Sequence, residues 1–180
     1  GDTGFEVRRR YVGGVLEVEF ALTSSAEVLD RIAQRDHSAV AASLGAFFKP
    51  TSVAVIGASA RRGTIGGELF RNVIAGDFAG AAYPVNQKGA PVGGVPGYHS
   101  IEDIPAPVDL AVVCVPGEQV LDATQSALRA GVRAICVISA GFAETGSEGL
   151  DRQTQLLALV RSYGARLIGP NCLGVASAAC

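Results

Sequence analysis

Residues 51–66, TSVAVIGASARRGTIG, are the stretch on which the fold of this 180-residue chain turns. An apolar run, Val53 to Ile56, leads straight into Gly57, a loop carrying Arg61 and Arg62, and Gly66 at the opening of a helical pattern. Strand, glycine-rich turn and helix is the arrangement in which backbone N–H groups and a helix N-terminus hold phosphate. The dinucleotide fingerprint G-x-G-x-x-G needs its glycines close together. Here the segment ASARRGTI separates Gly57 from Gly66. The expected ligand is phosphorylated and nucleotide-like, but not a standard NAD.

Outward from this stretch, strands and helices alternate. Ala81 to Val85 is a second strand, Gly94 to Tyr98 a weak third, Asp109 to Val115 a fourth, Ala134 to Ile138 a fifth and Arg166 to Ile168 a sixth. Between them, Leu69, Phe70, Val73 and Ile74 share one face of a helix, as do Val120, Leu121, Ala127 and Leu128, and then Leu156, Leu157 and Val160. Ser147 is a candidate N-cap for the last helix, with Glu144 and Glu148 compensating its dipole. Runs apolar on both faces, each followed by an amphipathic helix, predict a parallel sheet covered on both sides. The fold class is α/β, a Rossmann-like doubly wound sheet.

Residues 1–23 read as a β-hairpin, with Phe5 to Arg8 and Val15 to Phe20 as strands and Gly13-Gly14 as the turn. Two strands cannot bury enough surface alone, so the hairpin needs a partner sheet. Arg8, Arg9 and Arg10 alternate against nearby glutamates, which favours a solvated cross-strand face over a phosphate site. Residues 24–50 form a helical linker, opened by the capping box of Ser24 and Glu27 and striped by Val28, Leu29, Ile32 and Val40. Residues 51–180 are the sheet domain.

Composition sets bounds on function. A net charge of −2 argues against nucleic acid as the main partner, and no apolar run is long enough to span a bilayer. Four cysteines and two histidines, His37 and His99, show no metal-ligand spacing, so no metal site is expected. Cys114 and Cys136 lie in apolar strand-like runs and are expected in the core. Reduced thiols in a cytoplasmic protein are the plain reading, with no signal peptide expected. A chain without Met that starts at Gly1 is expected to be a piece of a longer polypeptide. A homo-oligomer stays open.

In an open parallel sheet the ligand lies beyond the carboxyl ends of the strands, at the switch in strand order. The strand ends here are Gly57-Ala58-Ser59, Asn86-Gln87-Lys88, Val115-Pro116, Ser139-Ala140-Gly141 and Gly169-Pro170-Asn171-Cys172. An NAD site wants Asp or Glu after the second strand to hold the ribose hydroxyls. This chain has Asn86 and Lys88 there, and a cation suits a phosphate on the ribose. NADP and coenzyme A both carry one, so the residues alone leave the two competing.

The ordered set IGASARRGTIG, YPVNQKG, VDLAVVCVP, VISAGFAE and IGPNCLG resembles the coenzyme A-binding domain of NDP-forming acyl-CoA synthetases, over about residues 47–174. That family includes succinyl-CoA synthetase α-subunits and ADP-forming acetyl-CoA synthetases. The N-terminal GFEVRRRYVGGVLEVEFALT resembles, over a much shorter stretch, the closing hairpin of a GNAT acetyltransferase domain. Together these resemblances suggest a fragment of a two-part protein like the bacterial protein lysine acetyltransferases.

The family resemblance implies coenzyme A or acetyl-CoA as ligand. It implies a phosphate-facing loop of Gly57, Ser59, Gly63, Thr64, Ile65 and Gly66, with Arg61 or Arg62 supplying charge. Lys88, beside Asn86, would meet a phosphate of the nucleotide, and Val115, Pro116, Ser139, Ala140 and Gly141 would line the pantetheine path. Asn171 and Cys172 would sit near the thiol end. The phosphate-carrying histidine of the synthetases lies in a later domain, and neither His37 nor His99 sits in a matching motif. The segment is therefore expected to bind but not to catalyse alone. Its partners would be an ATP-grasp region or a GNAT domain, and beside the latter it would be a regulatory acetyl-CoA sensor. The alternative is a NAD(P)-linked oxidoreductase or redox-sensing module.

Overall fold

Alternating charge and apolar residues pair the first two strands. In the computed structural model, which describes residues 7–13, 15–20 and 44–174, β1 (Val7–Val12) and β2 (Val15–Phe20) are antiparallel, with Arg10 opposite Glu17 and Tyr11 opposite Leu16. The first strand thus runs on past Arg8, to Val12. Arg10 follows the expected solvated pairing: its Nη2 lies 2.9 Å from Glu17 Oε2, both side chains exposed. Tyr11 is 75% and Val15 64% exposed. Phe5, Glu6, the 24–43 linker pattern with His37, and Cys180 lie outside the described residues.

The chain divides between Ser43 and Leu44. The second unit is built on five parallel strands: β3 (Ser52–Ile56), β4 (Ala81–Val85), β5 (Leu110–Val113), β6 (Ala134–Val137) and β7 (Arg166–Ile168). Their order is β4-β3-β5-β6-β7. Counted within the unit this is 2-1-3-4-5, a doubly wound order whose switch point falls between β3 and β5. Three helices connect the strands: α1 (Ile65–Ala75), α2 (Val120–Arg129) and α3 (Ser147–Ser162).

All five residues of β3 are buried because both sheet faces are covered. Ala54 and Ile56 join Val113, Ile135 and Val137 against Val120 and Leu128 of α2 and Leu156 and Val160 of α3. Val53 and Val55 face the other way, with Val112 and Cys136, against Phe70 of α1 and Phe47 from the helical turn at 44–48. Phe70, Leu128 and Leu156 are essentially inaccessible. Each such side chain contributes about 1.5–3 kcal/mol by leaving water.

Three local expectations are corrected. Residues 94–98 make no strand; Tyr98 contributes a single parallel bridge to Val85, and Val92 and Val95 bridge each other. Glycines at 93, 94 and 97 leave too few side chains to hold a ladder there. Ser147 is the first helical residue, not the cap; Gly146, at φ +104°, takes the cap position. Cys136 is core, whereas Cys114 is only half-buried, at the end of β5. Among the described residues no helix is long and apolar enough to cross a membrane.

Candidate functional site

The β3–α1 junction is set by glycines. A Cβ on Gly57, whose φ is +95°, would lie 2.6 Å from the Cys114 carbonyl oxygen; one on Gly66 would lie 2.3 Å from the Gly57 carbonyl oxygen. The two glycines let β5, β3 and the first turn of α1 meet backbone to backbone. Gly66 therefore serves the packing of helix on strand, and it does not line the neighbouring cleft.

That cleft, about 940 Å³, opens beyond the carboxyl ends of β3, β4 and β5. It lies at the topological switch, where ligands bind in such sheets, and is large for a small-molecule site. Gly57, Ser59, Arg61 and Thr64 form one side. Asn86 and Lys88 come from the β4 end, and Val115 and Pro116 from the β5 end.

Local hydrogen bonds shape the loops around it. The Arg61 amide donates to Ser59 Oγ at 3.1 Å, and Thr64 Oγ1 donates to the Arg61 carbonyl at 2.9 Å. Thr64 is the N-cap of α1, yet its side chain makes no capping bond to the first-turn amides. Glu68 instead reaches back to the Gly63 amide at 2.7 Å and pairs with Arg71 at 2.8 Å. The Arg71 bond and then the Gly63 amide lower the Glu68 carboxyl to about 2.

Asn86 is committed to the turn that follows it. Its Oδ1 accepts from the Lys88 and Ala90 amides at 3.2 and 2.9 Å, and its Nδ2 donates to the Ala90 carbonyl at 2.8 Å. The side chain where a dinucleotide site would carry an acid thus builds the loop that presents Lys88. The Lys88 ammonium and the Arg61 guanidinium have no partner among the described residues. Two unneutralised cations in one cleft fit an anionic ligand with more than one phosphate.

The remaining expected residues lie outside the cleft. Arg62, Gly63 and Ile65 are exposed on the loop and helix start. Ser139, Ala140, Gly141, Asn171 and Cys172 belong to the β6 and β7 ends, farther along the same sheet edge. The Ser139 hydroxyl donates to the Val115 carbonyl, and the Asn171 amide donates to the Ser139 carbonyl at 3.0 Å. The Gly141 amide is taken by Glu144 at 2.7 Å. That bond, with the Glu144 and Phe142 amides, lowers the Glu144 carboxyl. Cys172 Sγ lies 3.9 Å from Cys136 Sγ and donates to the Val137 carbonyl at 3.4 Å. These groups tie the strand ends into one rim.

Several cleft residues carry no motif in the sequence. His99, which sits in no matching motif, lines it, with Nδ1 3.1 Å from the Gln87 carbonyl oxygen. Cys114 also reaches it. Burial, and then the neighbouring Cys172, push the Cys114 thiol up to about 12, so it is no nucleophile at neutral pH. The opposite wall is Gln119, the N-cap of α2, with Asp122, Ala123 and Ser126 of α2. Their i, i+3, i+4, i+7 spacing was legible, but only the fold shows that this polar stripe faces a cleft. Among the described residues no group of His, Cys, Asp and Glu could hold a metal ion.

Comparison with known proteins identifies the domain's family. Residues 51–178 match the family model described as a CoA binding domain. The chain belongs to the CoA-binding domain family. This CoA-binding domain is 43% identical over 138 residues to the α-subunit of ADP-forming acetate–CoA ligase I of Pyrococcus furiosus, covering 74% of this chain and 30% of that subunit. Over 126 residues it is 41% identical to a trans-feruloyl-CoA synthase of an unknown prokaryotic organism, covering 70% of this chain and 18% of that protein.

Its fold superposes with a TM-score of 0.70 on acetyl-coenzyme A synthetase 1 of Ca. Korarchaeum cryptofilum, solved with phosphate and ADP. That match has 36% identity and covers 73% of this chain and 28% of that one. The CoA-binding domain therefore spans less than a third of these relatives. Its similarity is to ADP-forming acyl-CoA synthetases. The family match goes to coenzyme A, not to NAD(P). The hairpin that resembles a GNAT element lies outside the matched residues.

Proposed function

We propose that the domain holds coenzyme A or an acyl-CoA in the β3/β5 cleft and presents its sulfur to chemistry supplied by other parts of an ADP-forming acyl-CoA synthetase-like protein. The diphosphate would lie against the Ser59–Thr64 loop and the first turn of α1, with Arg61 beside it. Lys88 would meet the ribose 3′-phosphate. Pantetheine would leave past Val115 and Pro116 toward the rim of Ser139 to Gly141, Asn171 and Cys172. Coenzyme A supplies the thiol that forms the thioester; this chain's residues orient it and neutralise its phosphates.

One observation carries this reading: an ammonium and a guanidinium, both without partners among the described residues, line a cleft at the strand-order switch of a CoA-binding domain. An ATP-grasp region is the partner we propose, supported by the similarity to ADP-forming ligases. The sensor role beside an acetyltransferase rests only on the resemblance in residues 1–23. Isothermal titration with coenzyme A, acetyl-CoA, 3′-dephospho-CoA and NADPH tests the proposal. Coenzyme A should bind more tightly than its dephospho form; NADPH binding in preference to coenzyme A would overturn it.

A further inference from the structure

The cleft that suits a polyanion also contains one acid. Asp122, in the first turn of α2, is the single carboxylate among the lining residues, against Arg61 and Lys88. It is exposed and has no hydrogen-bond or ion-pair partner among the described residues. A carboxylate accepts hydrogen bonds and never donates them when ionised, and it repels phosphate. In a cleft for a phosphorylated ligand it must face the part of that ligand that carries N–H or O–H donors.

Its neighbours narrow the choice. Gln119, Asp122 and Ser126 project from one face of the α2 region, with the small Ala123 between them. A carboxamide, a carboxylate and a hydroxyl in a row offer a mixed donor and acceptor edge beside a flat apolar step. A lone ribose hydroxyl needs one partner; a purine edge needs several. Adenine presents an exocyclic N6 amine next to ring-nitrogen acceptors, which matches Asp122 as acceptor and the Gln119 amide as donor. A 6-oxo purine puts an acceptor oxygen where the amine stood, facing the carboxylate.

We infer that α2 reads the base: Asp122 accepts a hydrogen bond from the adenine N6 amine, and this contact selects 6-aminopurine over 6-oxopurine ligands. The inference rests on the proposed coenzyme A reading and adds base specificity to it. The acid missing after the second strand is thereby supplied from the opposite wall, for a different part of the ligand.

The test titrates the full chain and its Asp122→Asn and Asp122→Ala variants with coenzyme A and with its 6-deamino analogue, which carries hypoxanthine. The unmodified chain should prefer coenzyme A by roughly 10- to 100-fold, the range for a hydrogen bond to a charged group. Asp122→Asn, whose amide can accept or donate, should bring the two affinities within about threefold. Asp122→Ala should weaken coenzyme A and, with the carboxylate facing the 6-oxo group gone, bind the deamino analogue at least as tightly as the unmodified chain does. An unmodified chain that binds both ligands equally, or variants that keep the original ratio, would overturn base reading while leaving coenzyme A binding intact. Binding of neither ligand would overturn the underlying proposal instead. Thermal melts of both variants, expected to match the unmodified chain, separate misfolding from lost recognition.

Discussion

The Gly66 Cα faces the Gly57 carbonyl so closely that an added methyl would sit 2.3 Å from that oxygen. The obstacle is backbone, so no rotamer change relieves it. Gly66→Ala should destabilise the domain by about 2–3 kcal/mol, at the upper end for overpacking. Gly45, in the helical turn at 44–48 with nothing within 4 Å of an added Cβ, is the control. Gly45→Ala should leave stability unchanged or raise it by about 0.4–1 kcal/mol. Urea unfolding of the two variants checks the contrast.

Lys88 presents an ammonium without a partner among the described residues, on a loop built by the Asn86 side chain. Lys88→Ala should weaken coenzyme A by about 10- to 100-fold and 3′-dephospho-CoA much less. Asn86→Ala should weaken both partly, because the turn that aims Lys88 loses three hydrogen bonds. Titration calorimetry distinguishes them. Equal losses of the two ligands in Lys88→Ala would remove Lys88 from the 3′-phosphate.

At the amino ends of the strands, opposite the cleft, the Thr51 hydroxyl and amide each donate to Asp109 Oδ2 at 2.7 Å. The hydroxyl first, then the amide, holds the Asp109 carboxyl below the usual carboxylate range. A depressed carboxylate stabilises the fold above its unfolded-state pKa, and that contribution disappears as pH falls through the native value. Stability should therefore drop on acidification below about pH 4, and less steeply in Asp109→Asn. Melting curves from pH 2 to 7 measure this. Coenzyme A affinity at pH 7 should be the same in Asp109→Asn, since the residue stands at the far edge.

Burial is the main reason the thiols of Cys114 and Cys136 are pushed up to about 12, with Cys172 adding to it. At pH 8 both should stay protonated and react slowly with iodoacetamide in the native chain. Denaturant should expose them to fast labelling. Mass mapping after timed alkylation reads the sites directly; rapid native labelling of Cys136 would contradict its place inside the sheet.

Most of the fold was legible because its signals are local. The both-face apolar runs of β3, β5 and β6 and the helix stripes around Phe70, Leu128 and Leu156 announce a covered parallel sheet. Residues 94–98 misled because a tyrosine and a valine among glycines mimic a strand without the side chains to hold one. Ser147 misled because the φ of +104° that the chain needs at the start of α3 suits Gly146, one residue earlier.

By itself the sequence determined the element types, the glycine turn after β3 and the cation after β4, since each depends on residues within a few positions of one another. Only the tertiary structure decided which strand ends share a cleft. The β4-β3-β5 order joins Arg61, Lys88 and Pro116 to the polar stripe of α2, while Ser139 and Cys172 fall on strands farther along the edge. Strand order is a property of long-range pairing across the sheet. No run of adjacent residues encodes it, so Asp122, some 34 positions from Lys88, could be seen as its neighbour in the cleft only once the chain was folded.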